Sequence, residues 1–195
     1  MTFPMDALAL LEVESIARGY RALDALVKEA PVRVVHANVV EPGKFLILFG
    51  GGVAEVEASH RVGTDLAAEC LLDQVLIPFV RPEVWRGLGG ATATGELDTV
   101  GIVEGRSIAR TLDAADQALK QADVSLCGLR VTPGLGGKGY FVFEGLQHDV
   151  EAGIAAAVAT LGDRLVRAET IARPHPEFLA WVLQPAPFAP TDLRS

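Results

Sequence analysis

The chain has 195 residues, half of them hydrophobic and 22% charged, with a formal net charge of −8. That composition is globular rather than disordered, and its acidic balance argues against a nucleic-acid partner, which requires a basic face. No apolar run reaches the roughly 18–20 residues of a membrane span and the N-terminus lacks a basic signal region, so a cytoplasmic location is expected. Cys70 and Cys127 lie far apart without CxxC spacing and read as buried thiols in a reducing compartment.

In chain order, residues 8–13 form a short apolar run and read as a strand. Ser15 is the candidate N-cap of a helix in which Leu23, Leu26, Val27 and Ala30 make an apolar face, and Pro31 stops it. Residues 32–40 are β-branched and read as a second strand, Glu41-Pro-Gly43 as a turn, and residues 45–49 as a third strand covered on both faces. Gly50-Gly-Gly52 is expected to break that strand before a helix over 53–67. A fourth strand follows over 71–80, then a short helix from Pro82. The small-residue stretch around 87–97 reads as a linker, and the proline-spaced segment 184–195 as a disordered tail.

Beyond the linker the order of elements repeats. Glu12-Val-Glu-Ser-Ile-Ala-Arg18 returns as Glu104-Gly-Arg-Ser-Ile-Ala-Arg110, a displacement of 92 residues. Asp24, Lys28 and Val32 answer Asp116, Lys120 and Val124 in the same frame. Farther on the frame is 94, with Lys44 answering Lys138, Phe49 answering Phe143 and Pro82-Glu83 answering Pro176-Glu177. An insertion in the glycine-rich run 134–137 accounts for most of the change. A repeat this long signals a duplicated domain. The expected organisation is a first domain over 1–86, a linker over 87–97 and a second domain over 98–183. Each is an α+β unit of β-α-β-β-α-β order, ferredoxin-like, with a short terminal helix.

Such a fold does not define a function. Gly134-Leu-Gly-Gly-Lys138 is too short for a phosphate loop, and Gly139 stands where Ser or Thr would hold magnesium. His36, His60, His148 and His175 are scattered, without metal-ligand spacing, and no nucleophile elbow occurs. Catalysis therefore has no positive support in the residues. The small residues of the two β-β loops suit either a surface turn or close approach of backbones to a symmetry axis.

Several stretches in register resemble the bacterial microcompartment shell proteins. These are Leu11-Glu12-x-x-Ser15-Ile-Ala-Arg-Gly19, Asp24-x-x-x-Lys28-x-Ala30, Pro42-Gly-Lys44, Gly51-x-Val53-x-x-Val56 and Ile171-Ala-Arg-Pro-His175. Two BMC domains in tandem resemble the trimeric class, and the unpermuted element order is most similar to the trimeric shell proteins of propanediol-utilisation compartments. The resemblance implies a non-enzymatic homotrimer that forms a pseudohexameric tile, packs with hexameric and pentameric tiles, and passes small solutes through a central pore. It implies pore-lining loops at Val40, Glu41, Pro42, Gly43 and Lys44 and at Thr132, Pro133, Gly134, Leu135, Gly136, Gly137 and Lys138. It implies tile-edge contacts at Lys28, Lys120 and Arg173. Phe79 occupies the first-domain position of that arginine. Glu41 stands where the propanediol-type relative has a cluster-binding cysteine, so no cofactor is expected; a ring of Glu41 carboxylates would favour cations or polar solutes, or hold a divalent metal. The other readings are a soluble trimeric metabolite-binding regulator and, third, a redox carrier.

Overall fold

A computed structural model of the chain describes residues 5–90, 98–131 and 134–178. The expected tail, residues 91–97 of the linker, Thr132 and Pro133 lie outside the described residues. The chain divides into two compact units, Met1–Val80 and Arg81–Ser195.

In the first unit, β1 (Ala7–Val13) leads to α1 (Ile16–Glu29), β2 (Arg33–Val40), β3 (Lys44–Gly51), α2 (Val53–Ala67) and β4 (Leu71–Pro78). All pairs are antiparallel, in the order β2-β3-β1-β4. Ser15 caps α1, its Oγ accepting from the Arg18 N–H at 3.3 Å. Alternate residues Ala7, Ala9, Leu11 and Val13 of β1 meet Phe45, Ile47 and Phe49 of β3 under Ala22, Leu26 and Val56 of the helices. The intervening Leu8, Leu10, Leu46 and Leu48 are buried too, so both sheet faces are covered. The Ser59 hydroxyl ties the helices together by donating to the Leu26 carbonyl at 2.8 Å.

The second unit opens with α3 (Pro82–Leu88) and continues through β5 (Thr99–Gly105), α4 (Ile108–Gln121), β6 (Ser125–Arg130), β7 (Gly139–Gly145), α5 (Gln147–Leu161) and β8 (Leu165–Ala172). Its sheet is antiparallel in the matching order β6-β7-β5-β8. Ser107 caps α4 as Ser15 caps α1, accepting from Arg110 N–H at 3.2 Å.

Three details differ from the sequence expectation. Gly50 and Gly51 do not break β3; they pair with Leu8 and Ala7, and the ladder carries the strand through them. β4 ends at Pro78, since Phe79 turns into the left-handed region at φ 51°. Gly87 and Leu88, expected in the linker, belong to α3 and are buried, because a Cβ at Gly87 would come within 2.7 Å of Leu126 and 3.0 Å of Leu129.

Candidate functional site

Each unit offers a hairpin loop and an edge for chemistry. In the first, β2 and β3 are joined by Glu41, Pro42 and Gly43, all exposed, with a cis Glu41–Pro42 peptide. Gly43, at φ 102°, closes the turn by donating its N–H to the Val40 carbonyl at 2.9 Å. The flanking residues turn inward. Val40 is buried, and the Lys44 ammonium is hydrogen-bonded to Glu12 on β1, with side chains only 8% and 2% exposed. Of the five residues expected at a pore, three therefore form the exposed tip and Lys44 anchors its base.

In the second unit the corresponding pair, Lys138 and Glu104, lies at 2.7 Å with side chains 48% and 34% exposed. Gly134, Gly136 and Gly137 all adopt positive φ, which explains the glycine content of this loop. Beside them is a cavity of about 190 Å³ lined by Glu104, Gly134, Leu135, Lys138, Gly139 and Tyr140.

At the expected edges, Lys28 is exposed and paired with Asp24 at 2.6 Å, while Lys120 pairs at 2.5 Å with Asp116, which is wholly buried. Arg173 is exposed at φ 50°, and its N–H donates to the Asp98 carbonyl at 2.8 Å. Phe79 holds the same backbone conformation and is 73% exposed.

The titratable groups offer little chemistry. Burial pushes the Cys127 thiol up to about 12, with Glu144 adding to the effect, so the thiol is inert. Burial lowers the pKa of both His36 and His60, whose Nε2 atoms are enclosed without a hydrogen-bond partner. Among the described residues no group of three or more His, Cys, Asp or Glu side chains could hold a metal ion. No helix among them is long and apolar enough to cross a membrane.

The periodicity of α1 is deceptive. Leu26 is buried, but Val27, expected on the same face, is exposed, and with Ile16 and Tyr20 it forms an outward apolar stripe that continues through half-buried Leu23. The repeat places Ile108, Leu112, Ala115 and Leu119 of α4 at these four positions, and all of them are buried. All four positions are apolar in both copies, so the sequence does not separate the exposed stripe from the buried one.

The BMC domain family model matches residues 7–80 and 99–174, one copy on each unit. The chain belongs to the BMC family, as two fused α/β BMC domains, each a four-stranded antiparallel sheet packed with helices. It is 36% identical over 172 residues to the bacterial microcompartment shell protein PduT of Citrobacter freundii, an alignment covering 87% of this chain and 94% of the relative. The crystal structure of a microcompartment protein from Desulfitobacterium hafniense is 37% identical, with a TM-score of 0.79 over 91% of this chain and 99% of that one. The fused permuted hexameric shell protein of the RMM microcompartment shares the fold, at 19% identity and a TM-score of 0.58 over 80% of this chain and 81% of that one. The chain is thus a tandem BMC-domain microcompartment shell protein and not an enzyme.

Proposed function

We propose that three copies close head to tail into a pseudohexameric tile, with the tips 41–43 and the 134–138 loops around a central pore for small solutes. The observation that carries this reading is the open stripe on α1. Ile16, Tyr20 and Val27 are 38%, 58% and 42% exposed, the Tyr20 ring resting on Phe45 on one side only, whereas Ile108, Leu112 and Leu119 on the matching helix are enclosed. Exposed apolar area in register with a buried counterpart calls for a cover, and a further copy supplies it if the first domain of one chain meets the second domain of the next. Three chains then give six domains and no free stripe. The tile packs edge to edge with other shell tiles through Lys28, Lys120 and Arg173.

At the pore, three Glu41 carboxylates favour cations and polar neutral solutes. Glu41 offers a hard oxygen donor rather than a thiolate, so the axis suits no iron–sulfur cluster. The cavity beside Glu104 and Lys138 favours a second reading, a metabolite-binding regulator, which would show ligand-dependent stabilisation.

Sedimentation and electron microscopy test the proposal. The purified chain should sediment as a trimer and form sheets or tubes at high concentration. Tyr20→Glu should give a folded monomer that forms neither. A monomeric wild-type chain would overturn the reading.

A further inference from the structure

We infer that the segment opening at His175–Pro176 of one copy docks on α1 and β2 of the next, with the His175 backbone N–H donating to Asp24. This rests on the head-to-tail ring proposed above and specifies one of its contacts. The template is inside the chain. The Arg81 N–H, just before Pro82, donates to Asp116 Oδ1 at 2.8 Å, and that carboxylate is wholly buried. From there α3 runs over β6, with Gly87 pressed against Leu126 and Leu129.

Each half of this contact has a second version that stands exposed. His175-Pro176-Glu177 follows the frame of Arg81-Pro82-Glu83. The local turn is the same: Phe178 N–H donates to the His175 carbonyl at 2.9 Å, as Val84 N–H donates to Arg81 at 2.9 Å. Both turns follow a residue in the left-handed region, Arg173 or Phe79. On the receiving side, Asp24 takes the place of Asp116 and holds Lys28 as Asp116 holds Lys120, but its side chain is 62% exposed.

The receiving strand is also uncovered. β2 pairs with β3 in the register by which β6 pairs with β7, which places Val34 and Ala37 where Leu126 and Leu129 stand. Those leucines are buried; Val34 and Ala37 are half-buried, and Arg33, Asn38 and Val39 are exposed. The receiving surface has lost side-chain volume. The repeat places Trp181 in the frame of Gly87, so the incoming segment carries a large residue where α3 has none. Two leucines against a glycine become a valine and an alanine against a tryptophan, so the receiving surface gives up volume where the incoming segment adds it. The occupant is therefore a second copy of this chain, entering with residues from His175 onward.

Cross-linking in a Cys70→Ser background tests the contact. The Asp24→Cys, His175→Cys double variant, treated with a short bismaleimide at a concentration where wild type is trimeric, should give dimer and trimer bands on denaturing gels; each single variant should stay monomer-sized. In parallel, Trp181→Gly should weaken trimer association at least tenfold by sedimentation. A trimeric wild type with no inter-chain cross-link beyond the single variants, or a monomer-sized cross-linked product, would overturn the docking while leaving the ring intact. Unchanged association in Trp181→Gly would also overturn it, whereas a monomeric wild type would remove the ring as well.

Discussion

At the point where the first helix of each domain crosses the sheet, the two domains fill the same space from opposite sides. In the first, Gly19 on α1 leaves room for Phe45 on β3: a Cβ there would lie 2.5 Å from the ring. In the second, the helix carries Thr111 and the strand carries Gly139, where an added Cβ would meet Thr111 at 3.0 Å. What recurs unchanged is polar and local: the serine caps, the Asp–Lys pair on each helix and the Glu–Lys pair at each loop base. What differs is how deeply those groups are buried. The fold thus tolerates an exchange of core volume across a contact, provided its caps and ion pairs keep their places.

The largest effect should come from transplanting one contact into the other domain. Phe45→Gly alone should cost about 3–5 kcal/mol in urea unfolding, because it empties a fully buried site. Gly19→Thr alone should also be severely destabilising, because the phenyl ring cannot withdraw. Together they recreate the second domain's arrangement, and the double variant should be more stable than the sum of the single costs predicts. Additive losses would mean the two contacts are not equivalent.

The ion pairs at the loop bases come next. Glu12→Ala removes the buried carboxylate that Lys44 is bonded to, which should cost about 3–5 kcal/mol. Glu104→Ala removes the partner of a half-exposed Lys138 and should cost less than about 1 kcal/mol. Equal losses would show that burial is not what separates the two pairs.

The smallest effect is a pH response belonging to the first domain. Burial holds the pKa values of His36 and His60 below their usual 6.5, so the unfolded chain binds protons more readily than the folded one. Their stabilising contribution is therefore complete above about pH 6.5 and is lost as the pH falls below it. The second domain has Gly128 and Ile154 in the corresponding positions. Urea midpoints measured from pH 7.5 down to 5.5 should fall for the wild type and fall less for the His36→Gln, His60→Gln double variant.

Much of this architecture was legible in the residues. The duplication, the serine caps, the proline stops and the periodicity of each element locate most strands and helices to within a residue or two. Local patterning failed where a neighbour decided the outcome. Glycines 50 and 51 stay in β3 because β1 pairs with them, and Gly87 joins α3 because two leucines require a bare Cα. For the candidate site, spacing located the loops but not their side chains. Lys44 looks like a loop residue, and only the three-dimensional placement of Glu12 turns it inward. Val27 and Leu26 are both apolar, and nothing in a helical period states which of them has something to rest against.

The sunken lysine beneath the first turn has a practical consequence. Because the strand is fastened at Lys44, the exposed Glu41 at the tip can be rewritten without loosening the sheet below. In the proposed tile, a designer wishing to recharge or metallate the pore has Glu41 to edit, and leaves alone both Gly43, which holds φ 102°, and Lys44.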